Sequence, residues 1–440
     1  MQASHRQARL IAAAAALALL TACDGMPEVP RLGLGGKDAA SAPQASASDA
    51  ALDPGMADGS QSEIINTLLA RRSVLDQGAF ARVSDAVMAA NARAAEADLR
   101  AAVLRSEATQ RNWLPTVGPQ VSLTSLGDVM TQLVVDQVLF DNGGKRAERA
   151  LARADVEVAA VALAQDSNTR VADALSLYLE AEAASARAKV NAGAMERMEH
   201  FEWVMTERVR GGINDRSDLS IVTQRLTQMR SDLSSDRERA ASAKAELAAM
   251  SAVSLADISG LSGMRDAGEI TPLSVLKAEA EAKRAVAQAR AARAGLLPSL
   301  GVSAVADGDG VSGALTGGGR LGFGTGKSLE AVQASEAAAQ ARVGQAREEA
   351  DRELRGLSGE LASMERQYAE AQGIAAQAAQ NYDLFEAQLE AGRRTVPEVI
   401  GVFETKIRTE RAAVSLLYDI ARLRVKIAAL KGALVEGEKV

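Results

Sequence analysis

The strongest constraint on this chain is that it passes twice through one series of landmarks, about 180 residues apart. Trp113-Leu114-Pro115-Thr116-Val117 returns as Leu296-Leu297-Pro298-Ser299-Leu300, and Phe140-Asp141-Asn142-Gly143-Gly144-Lys145 returns as Phe323-Gly324-Thr325-Gly326-Lys327. Arg210-Gly211-Gly212, followed six residues after Gly212 by Asp218-Leu219, returns as Ala391-Gly392, followed at the same distance by Glu398-Val399. Long stretches of helical periodicity separate the landmarks. The chain therefore reads as a duplicated unit of helix, hairpin, helix, turn and helix.

Composition agrees with long helices. Aromatic residues make up only 3% of the 440 residues, whereas a dense globular core leans on large rings. Alanine, glutamate, arginine, leucine and glutamine dominate, as in helices packed through small side chains. The formal charge of -7 and the lack of any basic stripe with interleaved aromatics argue against a nucleic-acid partner.

His5, Arg6 and Arg9 precede an apolar run of eleven residues, Leu10 to Leu20, too short to span a bilayer and suited to a secretory signal. Leu20-Thr21-Ala22-Cys23 then resembles the lipobox of bacterial lipoproteins, in which the cysteine is acylated and becomes the new N-terminus. Cys23 is the only cysteine, so a disulfide framework is excluded. Several acyl chains together would supply the hydrophobic signals that stable anchoring needs. Cleavage there would remove Arg6 and Arg9 and no acidic residue, taking the formal charge from -7 to -9. The Pro, Gly, Ala and Ser that follow read as a flexible tether.

The pattern is helical from about Ser62 to Asn112 and stops before Pro115. Two runs of roughly ten residues follow, one with Val117, Val121 and Leu123, the other with Leu133, Val135, Val138 and Phe140. Strands of that length cross a bilayer at the usual tilt, and a soluble β-hairpin is the competing reading. Helical periodicity from Lys145 to Arg210 predicts a rod of about 100 Å, and Gly211-Gly212 breaks it. Pro272 opens a helix that Pro298 closes, a second and glycine-rich hairpin follows, and another rod runs from Lys327 to Glu390. After a turn at Gly392 to Pro397, a last helix reaches about Leu434. The expected divisions are a signal peptide (1–22), a lipidated tether (23–61), a first repeat (62–250, strands about 115–141, tip turn about 210–218), a junction (251–271), a second repeat (272–434, strands about 298–324, tip turn about 391–398) and a tail (435–440).

Catalytic chemistry finds little to work with. Gly322-Phe323-Gly324-Thr325-Gly326-Lys327-Ser328 lacks the first glycine and the buried strand of a phosphate loop, and its glycines more simply mark a strand-to-helix exit. His200 is the single histidine beyond the leader, and one imidazole does not build a zinc site. Without a second histidine or a free thiol, the familiar nucleophile and base arrangements cannot be assembled. The carboxylates alternate with Arg and Lys as solvated helix pairs do. The sequence thus predicts no enzyme, no metal and no cofactor.

Taken together, the duplicated plan, the Leu-Pro strand starts, the strand exit Gln137-Val138-Leu139-Phe140-Asp141 with its two glycines, and the glycine turns followed by Asp or Glu resemble the TolC family of outer-membrane efflux and secretion channels over about residues 62–434. The resemblance implies a mainly α fold with a small transmembrane β part. Long antiparallel coiled-coil helices would form a periplasmic α-barrel, and four short strands per chain would contribute to a twelve-strand β-barrel in a homotrimer. Four strands alone leave edges that hydrocarbon does not tolerate, which argues for closure by other copies on independent grounds. The implied role is a lipid-anchored outer-membrane conduit of a tripartite efflux or type I secretion complex. Its implied partners are outer-membrane lipid, a periplasmic adaptor protein and an inner-membrane ABC or proton-driven transporter. Pro115, Phe140, Pro298 and Phe323 would bound the strands. Gly211, Gly212, Asp218, Gly392, Arg394 and Glu398 would form the periplasmic gate and adaptor tip, with a further acidic gate position of the family falling on Gly401. The competing class is a lipid-anchored periplasmic coiled-coil scaffold or adaptor without a pore, which leaves both hairpins unexplained.

Overall fold

The computed structural model describes residues 62–90, 94–125, 128–306, 310–318 and 322–439. The expected leader, Cys23 and the expected tether lie outside the described residues. Among these residues, eight α-helices and four strands follow one another as α1 (Glu63–Leu69), α2 (Ala79–Ala89), α3 (Ala94–Gln110), β1 (Thr116–Ser125), β2 (Asp128–Phe140), α4 (Gly144–Arg210), α5 (Arg216–Met250), α6 (Leu273–Gly295), β3 (Ser299–Ala306), β4 (Val311–Gly318), α7 (Thr325–Glu390) and α8 (Val396–Lys431).

Helices α4 and α7, of 67 and 66 residues, run about 100 Å each from the strands to the tip. Shorter helices pack along them, α3 (17 residues) and α6 (23) on the strand side and α5 (35) and α8 (36) on the tip side. α4 packs against α3, α5, α6 and α8, whereas α7 packs against α6 and α8. The apolar core falls into separate clusters along this bundle. One joins α2, the middle of α4, the 251–271 junction and the end of α8 through Phe80, Val83, Leu175, Leu179, Ile258 and Leu434. Another fills the tip through Met198, Phe201, Met205, Leu226, Tyr382 and Phe403, so both helical turns lie at one end of the molecule. A smaller one sets Ile64 and Leu68 against Val161, Leu273 and Leu276.

The helical pattern before the first strand is not one helix. Ser62 caps α1, its Oγ accepting from the Ile65 N–H at 3.3 Å, but after Leu69 the chain crosses the bundle in extended form. There the Val74 N–H donates to Ala433 O at 2.9 Å, and Leu75 pairs with Met264. Gly78 lies so close to Ser262 that a Cβ would meet its Oγ at 2.6 Å, and that hydroxyl accepts from the Phe80 N–H at the start of α2. These partners are about 180 to 360 residues away in sequence, so local periodicity carries no trace of the break. The last helix also stops early, at Lys431. Gly432 turns at φ +67°, a conformation favouring glycine, and Ala433, Leu434 and Val435 fold back into the core.

Arg71 holds this crossing together. Its Nη1 donates to Lys431 O (2.6 Å) and Gly432 O (3.2 Å), satisfying the last carbonyls of α8, and its Nη2 donates to Thr271 O (2.5 Å). Burial lowers its pKa to about 10. Arg170 acts similarly, donating to the terminal carbonyls of α2 and α5 through Val87, Ala90 and Met250.

Candidate functional site

The four strands form one antiparallel sheet in the order β1-β2-β3-β4, with β1 and β4 as free edges. Successive side chains alternate between its faces, and the register shows what each face carries. Val117 stands opposite Val135 and Pro119 opposite Leu133; across the sheet, Val302 stands opposite Leu315 and Ala306 opposite Val311. This face is apolar apart from Thr131 and Gln137, and it is exposed, Val121 at 62% and Leu315 at 69%. The other face pairs Thr116 with Asp136, Gln120 with Gln132, Asp136 with Ser303 and Gly301 with Thr316. The Gln132 amide donates to Gln120 Oε1 at 3.1 Å across it. The second face mixes these polar side chains with Val134, Val138, Val305 and Ala314 and is the more polar of the two, as in a sheet between hydrocarbon and water.

Pro115 immediately precedes β1 and Pro298 immediately precedes β3, where a missing N–H interrupts no ladder. Phe140 ends β2. Phe323 does not end a strand: β4 stops at Gly318, and Phe323 stands fully exposed in the turn before α7. Below β2, the Asp141 carboxylate accepts from the N–H groups of Gly143 and Lys145, and the Asn142 amide donates to Pro298 O at 2.6 Å. That last bond ties the exit of the first hairpin to the start of the second. The glycine run before α7 is likewise a strand-to-helix turn, with Gly324 at the N-cap and the Gly322 N–H donating to Thr325 Oγ1.

At the other end, the two tip turns share one backbone geometry. Gly212 and Gly392 adopt φ of +72° and +69°, and the next residue in each turn donates back to the helix, Ile213 to Arg208 O and Arg393 to Gln388 O, both at 2.8 Å. Gly211 and Ala391 hold the equivalent cap positions. The side chains then differ. Glu398 reaches back to accept from both the N–H and the Oγ1 of Thr395, at 2.9 and 3.0 Å, completing a capping box. These bonds, the Thr395 N–H foremost, hold its pKa below the ordinary carboxylate value. Asp218, at the equivalent position but one methylene shorter, instead accepts from the Asn214 amide at 2.9 Å. Arg394 lies 4.4 Å over the Phe385 ring and bonds Gln388 Oε1 and Glu398 Oε1 within its own turn. The structure thus brings Arg394 and Glu398 together, while Asp218 bonds within its own turn. Gly401 lies on α8 with open space where a Cβ would stand.

A third charged feature escaped the sequence reading. Between the cluster at the middle of α4 and the tip cluster, Asp236 of α5 is 2% exposed and bridges three helices. It accepts from Arg187 Nε and Arg411 Nη2, both at 3.0 Å, and from the Asn191 amide at 3.3 Å. Asp232, one turn away, takes the other Arg411 nitrogen at 3.4 Å. The signal was present: Val222, Leu226, Met229, Leu233, Ala240, Ala243 and Leu247 mark an apolar seam in steps of three and four, and Asp236 occupies the step between Leu233 and Ala240.

The remaining candidates are structural. His200 is exposed on α4 and stacks on Trp203 at 6.0 Å, without a metal-binding group of His, Cys, Asp and Glu among the described residues. No described helix is long and apolar enough to cross a membrane.

No family model matches the sequence, and no curated protein matches it. Solved structures do share its fold. The outer membrane protein VceC from Vibrio cholerae superimposes with a TM-score of 0.71 at 16% identity, over 81% of this chain and 97% of that one. The CmeC outer membrane channel of Campylobacter jejuni gives 0.68 at 12% identity, over 84% and 92%. The open state of the MtrE outer membrane channel of Neisseria gonorrhoeae gives 0.62 at 16% identity, over 81% and 90%. The mainly helical architecture with a small four-stranded sheet, expected from the resemblance to the TolC family, is the fold observed.

Proposed function

We propose that this chain is a TolC-type outer-membrane channel protomer, and that three copies close their sheets into one twelve-strand barrel above a shared helical tunnel. The observation that carries the reading is the two-faced sheet with open edges at β1 and β4. Unpaired strand edges and exposed apolar side chains are stable in a bilayer only if other strands complete the ladder. A scaffold without a pore would need neither the alternation nor the second hairpin. Passive conduction follows, with energy supplied by an inner-membrane ABC or proton-driven transporter through a periplasmic adaptor at the tip, in an efflux or type I secretion complex. The tip turns would carry the gate. Because Arg394 is held inside its own turn, a latch between Arg394 and Asp218 belongs to contacts between copies. Acylated Cys23 would anchor each chain in the outer membrane, with most of its length in the periplasm.

The reading is tested by fractionating cells that express the full chain and recording from the purified protein in planar bilayers. Recovery in the outer-membrane fraction with stepwise conductance supports it; a soluble periplasmic protein without conductance would sink it in favour of the scaffold. Labelled palmitate should enter the wild type and not Cys23→Ala; equal labelling of both would remove Cys23 as the anchor.

A further inference from the structure

Two charged residues stand on the four strands, Asp128 at the turn end of β2 and, eight residues further along it and flanked by strands on both sides, Asp136; no Lys, Arg or His occurs on any of the four. Its register fixes its side of the sheet: Asp136 faces Thr116 on β1 and Ser303 on β3, opposite to the apolar face of Val117, Leu133 and Leu315. It is exposed, and neither of those flanking residues can neutralise it. Resting on the channel reading above, we propose that Asp136 is a selectivity-determining residue: with its two symmetry copies it forms an acidic ring in the barrel lumen that favours cationic over anionic cargo.

The geometry makes the ring effective. Twelve strands about 4.8 Å apart and tilted about 40° enclose a backbone cylinder roughly 24 Å across. Side chains reaching inward place each carboxylate about 8 Å from the axis, within the Debye length of about 10 Å at 0.1 M salt and well beyond about 3 Å at 1 M. Three charges at that distance in water, screened accordingly, enrich monovalent cations on the axis about threefold at 0.1 M and hardly at 1 M. Anions are depleted by the same factor, so the ring contributes roughly tenfold to the preference at low salt.

Reversal potentials of the full-length channel under a KCl gradient test this. The wild type should prefer potassium near 0.1 M and lose most of that preference near 1 M. Asp136→Asn, an isostere at an exposed position, should lower the preference about tenfold at low salt with little change in conductance at 1 M, and Asp136→Lys should turn the pore toward chloride. Conducting variants with wild-type reversal potentials would overturn the ring while leaving the channel standing. Absence of conductance in the wild type would overturn the channel and the ring together.

Discussion

Helices α4 and α7 hold the same place in the two repeats and differ by one residue in length, yet the chain treats them differently. α4 buries side chains along its whole course, from Ala147 through Val171 and Leu175 to Met205, although Trp203 stays 61% exposed. α7 buries only Ala339, Ala350, Leu357, Ala378 and Tyr382, and it leaves Ile374 and Leu384 more than half exposed. The duplication therefore repeated topology and turn geometry but not packing. The α4 side is completed within one chain, while the α7 side presents small residues and a few exposed apolar ones to whatever lies beside it. In the closed ring proposed above that neighbour would be another copy, just as the free edges β1 and β4 would complete each other.

The contrast breaks most sharply at charged residues. Asp236→Ala removes the anion from between two largely buried arginines and should cost about 3 to 5 kcal/mol in denaturant unfolding. Glu365→Ala, which unpairs the exposed Arg424 between α7 and α8, should cost about 0.2 to 1 kcal/mol. Equal losses would mean that the two rods are supported alike. A second test bears on assembly: Ile374→Glu with Leu384→Glu should leave helicity unchanged while lowering the trimeric fraction several-fold on native gels. Loss of helicity would show that these side chains support the single chain; full assembly would place them facing water.

Much of this architecture was legible in the sequence, for reasons that residue types make plain. The turns at Gly212 and Gly392 need a left-handed residue, and the helices on either side are long enough for periodicity to stand out. The strands betray themselves by alternation at Val117, Val121, Leu133 and Val135. The break between α1 and α2 was not legible, because it is imposed by Ser262 and Ala433 from distant parts of the chain. Asp236 was hidden differently: among many carboxylates on solvated helix faces, only its place in the apolar seam of α5 sets it apart. At the tip, the resemblance to the TolC family pointed to Arg394 and Glu398, while their confinement to one turn came from the short reach of Thr395 and Phe385.

The smallest expected effect compares the tip turns themselves. Asp218→Ala and Arg394→Ala should each raise single-channel conductance by releasing a latch worth about 0.2 to 1 kcal/mol, and the double variant should add little to either. Wild-type conductance in both would reduce these charges to helix caps. Acid should act on the second turn in particular. Glu398 has its pKa lowered by folding, so its contribution is present above the ordinary value of 4.5 and is lost as pH falls below it through the folded value. Conductance of Glu398→Gln should accordingly respond less than the wild type to acidification in that range.

The central claim is that one chain is a third of a closed structure. Light scattering of the folded, detergent-solubilised protein, corrected for bound detergent, measures this directly by counting chains per particle. Three copies of the 45.8 kDa chain, less any leader removed on export, is the predicted result. A monodisperse, fully helical monomer would contradict the account.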